Sequence, residues 1–221
     1  MLIVDDHHVL SEGLAAALER EGLRVATTDA DPPDEFPELL ARVAPRVVLL
    51  DLWLGVNVGS GLGLIPQILA ADARVVILTA SEDPMLLASC VEAGAFDLAS
   101  KAEAFESILD KVQGALGDGK GLGSAARQRY LAQLAATRAA DSERLAPFEA
   151  LSPRERFVLG ELMDGRSAQE IAATTPVALA TVRTQIRAIL RKLGVSTQLA
   201  AVALARRSGW RPAGEDEDHQ T

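Results

Sequence analysis

Val47-Val48-Leu49-Leu50-Asp51 is an unbroken apolar run of four residues closed by a carboxylate. A run apolar on both sides of the pleat is what a parallel strand covered on both faces requires. Val75-Val76-Ile77-Leu78, followed by Thr79, has the same form. Three further β-rich runs flank these two: Leu2-Ile3-Val4, Arg24-Val25-Ala26-Thr27 and Phe96-Asp97-Leu98-Ala99. Helix-period stretches lie between them, such as Leu10, Leu14, Ala17 and Leu18, with Gly22 placed as a cap, or Leu86, Leu87, Cys90 and Val91. This alternation predicts an α/β doubly wound, five-stranded parallel domain over residues 1–113, with the strand order 2-1-3-4-5.

The pattern then changes. Gly114, Gly117, Gly119, Gly121 and Gly123 crowd into ten residues and read as a flexible break, followed by a helix-favouring stretch from Ser124 to Ala140. Residues 114–147 are therefore assigned as a hinge and linker helix. Residues 148–212 open with Ser152-Pro153-Arg154-Glu155, a capping box with Pro at the first helical position, and Ser167-Ala168-Gln169-Glu170 repeats the device. A third helix follows Pro176 and runs to Leu193 before Gly194, and a fourth runs from Ser196-Thr197 through Ala205. These four short helices predict a small all-α domain. Residues 213–221 are acidic, offer nothing apolar to pack, and are expected to be disordered.

Charge separates the same parts. Residues 1–113 hold 19 acids and 7 bases, residues 148–212 hold 5 acids and 10 bases, and the tail adds four acids. The net charge of −9 thus conceals an acidic front and a basic back with different partners. The single cysteine, Cys90, excludes an internal disulfide framework and a cysteine-based zinc site. No apolar run reaches the length of a membrane span, and two acids directly follow the first apolar residues. A cytoplasmic protein without a membrane partner is expected.

In an open α/β sheet, ligands gather at the carboxyl ends of the strands. Asp5 and Asp6 end the first strand, Asp51 the third and Thr79 the fourth, and Lys101 follows the fifth. Three carboxylates brought together are costly unless a cation joins them, and oxygen ligands with retained water suit Mg²⁺. The set supports phosphoryl transfer to a carboxylate. Asp51 is assigned as phosphoacceptor, Asp6 and Asp51 as direct metal ligands, and Asp5 as a ligand through water. Lys101 pairs with the phosphoryl oxygen and Thr79 hydrogen-bonds to it.

Val4-Asp5-Asp6-His7, Val48-Leu49-Leu50-Asp51-Leu52, Leu78-Thr79-Ala80 and Ser100-Lys101 together resemble the receiver domain of two-component response regulators, over residues 1 to about 113. That resemblance implies that the backbone carbonyl of Trp53 completes the metal shell. The chain departs from the family at Gly55, where a Pro is usual, at Asp97, where Gly is common, and at Leu98, where a switch Tyr or Phe is common. The first strand is short for the family, which implies a few residues upstream of Met1. His7 and His8 read as surface residues beside the acidic site. Gly114–Gly121 approximates a phosphate-binding loop, but Gly121 stands where Ser or Thr is required. Gly59-Ser60-Gly61-Leu62-Gly63 fails the dinucleotide fingerprint.

In the second domain Val182, Ile186, Ile189 and Leu193 repeat at core spacing, and Arg183, Arg187 and Arg191 lie opposite with no acid between Thr181 and Leu193. Such a row repels itself unless it meets an anion. With the preceding helix and turn it predicts a helix-turn-helix. Leu151-Ser152-Pro153-Arg154-Glu155-Arg156, Glu170-Ile171-Ala172, Thr181-Val182-Arg183-Thr184 and Leu190-Arg191-Lys192-Leu193-Gly194-Val195 resemble the LuxR-type module over residues 151 to about 207. By that resemblance Arg183, Thr184 and Arg187 face bases, Thr181, Gln185, Arg191 and Lys192 hold phosphates, and the last helix forms a dimer contact. Ala178 replaces the usual capping Ser, Thr175 a usual core Leu, and Gln185 a frequent His.

Receiver plus LuxR-type module is the architecture of NarL/FixJ-class response regulators. It implies a non-enzymatic transcription regulator phosphorylated on Asp51 by a sensor histidine kinase, binding double-stranded DNA as a homodimer when active. The alternative is a phosphorylation-independent DNA-binding protein whose receiver serves dimerisation or ligand sensing. An aspartyl-phosphate phosphohydrolase would want a second acid two residues after the nucleophile, and that residue is Trp53.

Overall fold

The computed structural model describes residues 1–212, which divide into two compact units, Met1–Ala136 and the chain from Thr137 onward. Among the described residues no helix is long and apolar enough to cross a membrane.

The first unit runs β1 (Leu2–Val4), α1 (His8–Arg20), β2 (Ala26–Thr28), α2 (Phe36–Val43), β3 (Val47–Leu50), α3 (Gly55–Val58), α4 (Ile65–Ala70), β4 (Arg74–Thr79), α5 (Pro84–Ala93), β5 (Asp97–Ser100) and α6 (Phe105–Leu116). The five strands are parallel in the order β2-β1-β3-β4-β5, as the alternation predicts. Because side chains alternate along a strand, the sheet feeds two cores. Leu2, Val4, Val48, Leu50, Val75 and Ile77 pack with Phe36, Leu40, Ile65, Ile68 and Cys90, whereas Ile3, Val47, Leu49, Val76 and Leu78 pack with Leu14, Leu18, Ile108 and Val112. The strands at 24–27 and 96–99 are each displaced toward the C-terminus, to Ala26–Thr28 and Asp97–Ser100. Leu10, expected on the buried stripe of α1, is 40% exposed, and the stripe uses Ser11, Leu14 and Leu18 instead. Cys90 is free and buried, and burial pushes its thiol up to about 11.

The glycine-rich stretch is tied down where a flexible break is expected. Gly119 N–H donates to Gly114 O at 3.1 Å, and Leu122 N–H to Phe96 O at 2.9 Å. Gly121 has φ +55°, and a β-carbon there would collide with Phe96, so only glycine permits this approach. Arginines satisfy the terminal carbonyls of two helices. Arg46 donates to Leu116 O at 2.6 Å, Arg74 to Ala115 O and Gly117 O, and Arg127 to Val91 O and Ala95 O at 3.1 and 2.7 Å.

Helix α7 (Ser124–Glu149) extends past the expected end near Ala140 and contains Pro147. Leu145 and Phe148 account for the extension, because both join the core of the second unit. That unit contains α8 (Pro153–Met163), α9 (Ala168–Thr174), α10 (Leu179–Lys192) and α11 (Gln198–Arg207). Both expected capping boxes form, at Ser152/Glu155 and Ser167/Glu170. Val158, Leu159, Leu162, Ile171, Val182, Ile186, Ile189 and Leu193 make the core, and Phe148 stacks on Trp210 at 5.3 Å between ring centroids. Ala178 caps α10 with no side-chain hydrogen bond, while the Thr175 hydroxyl closes α9 by donating to Ile171 O at 2.7 Å. The acidic tail expected to be disordered, 213–221, lies outside the described residues.

Candidate functional site: an acid pocket and an arginine row

The parallel register places the ends of β1, β3, β4 and β5 side by side, since Val4 pairs with Leu50, Leu50 with Ile77 and Thr79 with Ser100. Asp5, Asp51 and Thr79 follow or end these strands and are buried at 2%, 3% and 5% exposure. Lys101 Nζ reaches Asp51 Oδ2 at 2.7 Å and Asp5 Oδ2 at 2.8 Å. Burial alone would lower the ammonium's pKa, but the hydrogen bonds and charges of Asp5 and Asp51 outweigh it and hold the pKa above the usual lysine value. Asp51 Oδ1 accepts from Leu52 N–H at 2.7 Å. Thr79 Oγ1 accepts from Ser81 N–H at 3.1 Å, which orients the hydroxyl, and Lys101 N–H donates to Thr79 O.

The sequence-predicted Asp5, Asp6, Asp51, Thr79 and Lys101 therefore converge. Trp53, two residues after Asp51, is 68% exposed, and its backbone bridges to Ser60 across the loop. Gly61 explains that loop's composition, because a β-carbon there would collide with the carbonyl oxygen of Asp51. Gly55, in place of the usual Pro, has φ +74° and faces Asp6 Oδ2.

His7 is exposed beside the acidic site, as the sequence reading expects, and its ring turns onto the acids: Nδ1 lies 2.8 Å from Asp6 Oδ1, 3.1 Å from Asp5 Oδ1 and 3.9 Å from Asp51 Oδ2. The turn that leads from β1 into α1 swings the imidazole back over the carboxylates, with His7 N–H donating to Asp5 Oδ1 at 2.8 Å. His8 is exposed, as expected.

Asp5, Asp6, His7 and Asp51 each offer a ligand atom within 4.8 Å of the others. The set fits a divalent cation. Three carboxylates face one ammonium, and Asp6 Oδ1 is a buried oxygen without an aligned hydrogen-bond donor.

On α10 the buried side is Val182, Ile186 and Ile189, so Thr181, Arg183, Thr184, Arg187 and Arg191 stand exposed on the other. The three arginines make no ion pair among the described residues. Thr184 Oγ1 donates back to Ala180 O at 2.9 Å. Of the other expected phosphate contacts, Lys192 is exposed and its Nζ pairs with Glu155 Oε2 at 2.6 Å, at the start of α8. Gln185 is half-buried, and its Oε1 is buried without a partner. The pairing holds the Glu155 carboxyl below its usual value, because bonds from Lys192 and Ser152 outweigh the cost of burial.

The chain matches the response regulator receiver domain over residues 1–113 and the luxR family of bacterial regulatory proteins over residues 149–205. It is 30% identical over 215 residues to a probable transcriptional regulatory protein NarL of Mycobacterium tuberculosis, covering 94% of this chain and 93% of the relative. It is 29% identical over 211 residues to the transcriptional regulatory protein LiaR of Bacillus subtilis, covering 94% and 97%. A solved RcsB response regulator of Salmonella typhimurium is similar at 22% identity and a TM-score of 0.48, covering 93% of this chain and 98% of that one. With the acid pocket on a 2-1-3-4-5 sheet and an arginine-faced helix in a four-helix module, this chain belongs to the response regulators, carrying a receiver domain followed by a luxR-family domain.

Proposed function

We propose that the chain is a transcription regulator switched by phosphorylation of Asp51 from a sensor histidine kinase. The convergence of Asp51, Lys101 and Thr79 at the ends of three adjacent strands carries this reading. A carboxylate oxygen of Asp51 attacks phosphorus, the P–O bond forms, and the P–N bonding pair returns to the departing imidazole of the kinase. Lys101, already on Asp51 Oδ2, meets the charge of the new phosphoryl oxygens, and the Thr79 hydroxyl turns from Ser81 N–H to donate to one of them. Asp6, Asp51 and the Trp53 carbonyl would hold Mg²⁺ directly and Asp5 through water. When bound, that ion neutralises charge on the phosphoryl group. Trp53 in place of a second acid argues for a regulator and against a phosphohydrolase.

In the second unit, Arg183, Thr184 and Arg187 are assigned to base edges, and Thr181 and Arg191 to phosphates of double-stranded DNA. A homodimer follows from the two-fold geometry of helix-turn-helix binding. Leu199, 79% exposed on α11, is the apolar residue available to it. A second reading, DNA binding independent of phosphorylation, is favoured by Leu98, an aliphatic residue packed on the core where a larger ring would swing.

The deciding experiment is intact mass after incubation with Mg²⁺ and a small phosphodonor. The expected outcome is a phosphate-sized gain in the wild-type chain and none in Asp51→Asn. Labelling of both variants would overturn the assignment of Asp51.

A further inference from the structure

The exposed stripe of α10 carries few kinds of base-reading group, and this narrows what it can read. A recognition helix presents its N-terminal part to the base edges. Over 179–187 the exposed side chains are Ala180, Thr181, Arg183, Thr184 and Arg187. Adenine is gripped at two atoms by Asn or Gln, and cytosine N4 donates to Asp or Glu. None of these stands exposed on the helix: it has no acid, and Gln185 is half-buried with its Oε1 inside. Thr184 has its hydroxyl proton on Ala180 O at 2.9 Å, so it has no donor left for a base. Two guanidinium forks remain, both exposed and without an ion pair among the described residues. Such a fork matches the paired acceptors O6 and N7 of guanine.

We propose that Arg183 and Arg187 each bind the O6 and N7 edge of a guanine, so that the DNA under α10 carries two G·C pairs close together. Four residues separate the arginines, about 6 Å along the helix axis, and base pairs step about 3.4 Å. The two guanines therefore lie one or two steps apart. The inference rests on the reading of the second unit as a DNA-binding module.

The test is selection from a randomised double-stranded DNA library by the full chain, with Mg²⁺ and a small phosphodonor present, followed by titration of the selected duplex. Wild type is expected to select two guanines one or two steps apart. Arg183→Ala is expected to lose the preference at one of them and Arg187→Ala at the other. In the selected duplex 7-deazaguanine then replaces each guanine in turn, which removes N7 and leaves the base pair intact. At either guanine this exchange is expected to weaken wild-type binding about tenfold, and binding of the matching alanine variant less than about twofold. A selected site without the two guanines, unchanged preferences in the variants, or equal sensitivity of wild type and variants to 7-deazaguanine would each overturn the guanine assignment. Failure of wild type to bind any member of the library overturns the DNA reading with it, whereas selective binding that ignores the guanines overturns the base assignment alone.

Discussion

The two units each gather charge of one sign, but they treat it oppositely. In the acid pocket three carboxylates are drawn together at the sheet end, two of them buried, and Lys101 bridges Asp5 and Asp51. On α10 three arginines stand in open solvent without an ion pair among the described residues, while the adjacent Lys192 pairs with Glu155. Both lysines lie 2.6–2.7 Å from a carboxylate oxygen, yet one completes a reactive site and the other is a strut. Proximity and burial therefore do not distinguish function from support. The difference lies in the surroundings: in the acid pocket three carboxylates share one ammonium, whereas Glu155 pairs one to one with Lys192 and also accepts from Ser152 N–H in its capping box.

Removing the strut is the largest stability effect expected. Glu155→Ala takes away the side-chain half of the capping box on α8, leaving the Ser152 cap, and strands Lys192, whose side chain is 31% exposed and can partly turn to water. Loss of a capping interaction costs about 1 kcal/mol and breaking a buried pair several more, so about 2–3 kcal/mol is expected after that relief. Denaturation followed through Trp210, which stacks on Phe148 in the second unit, reads it. A change below about 0.5 kcal/mol would place Glu155 among ordinary surface residues and erase the contrast.

The arginine row is tested on DNA. Arg187→Ala is expected to weaken specific binding by about 2 kcal/mol, roughly thirtyfold, with no shift in the Trp210 transition. Lys192→Met is expected to do the reverse, lowering the Trp210 midpoint while changing DNA affinity less than about threefold. Equal losses of affinity in both variants, with a shallower salt dependence in each, would restore Lys192 to the phosphate-contacting set.

Much of this was legible in the sequence for physical reasons. The unbroken apolar runs at Val47–Leu50 and Val75–Leu78 demanded cover on both faces, and the sheet order followed from the β-α alternation. The acids at strand ends converged because a parallel register leaves them nowhere else to go. Less legible were features fixed by tertiary partners. Lys192 and Glu155 are 37 residues apart, and nothing in a basic run announces that one of its members will pair with an acid. The glycine-rich segment read as slack because its anchors, Phe96 O and the arginine-bound carbonyls, are distant in sequence. His7 reads from the sequence as a surface residue beside the acids; that its ring turns onto Asp5 and Asp6 is set by the turn into α1 and could not be read from its position alone.

The smallest effect asks whether the first unit has a strut of its own. Glu103 accepts from Ser100 N–H and the Ser107 hydroxyl and pairs with Lys111, much as Glu155 accepts from Ser152 and pairs with Lys192. Burial would raise the Glu103 pKa, but the Lys111 bond and the two serine bonds outweigh it and hold the carboxyl at about 2. A folded pKa below the unfolded one stabilises fully above the unfolded value of about 4.5, and the gain is lost as pH falls toward 2. Glu155 is lowered in the same direction, so both units are expected to lose stability as pH falls below the ordinary carboxylate value. For Glu103 the slope stays under the limit of about 1.4 kcal/mol per pH unit for one proton, since its side chain is 30% exposed and water screens the pair. Glu103→Gln should flatten the acid limb reported by Trp53 and leave that of Trp210 untouched. A parallel flattening of both limbs would mean that the two units unfold as one, and that the two struts support a single structure.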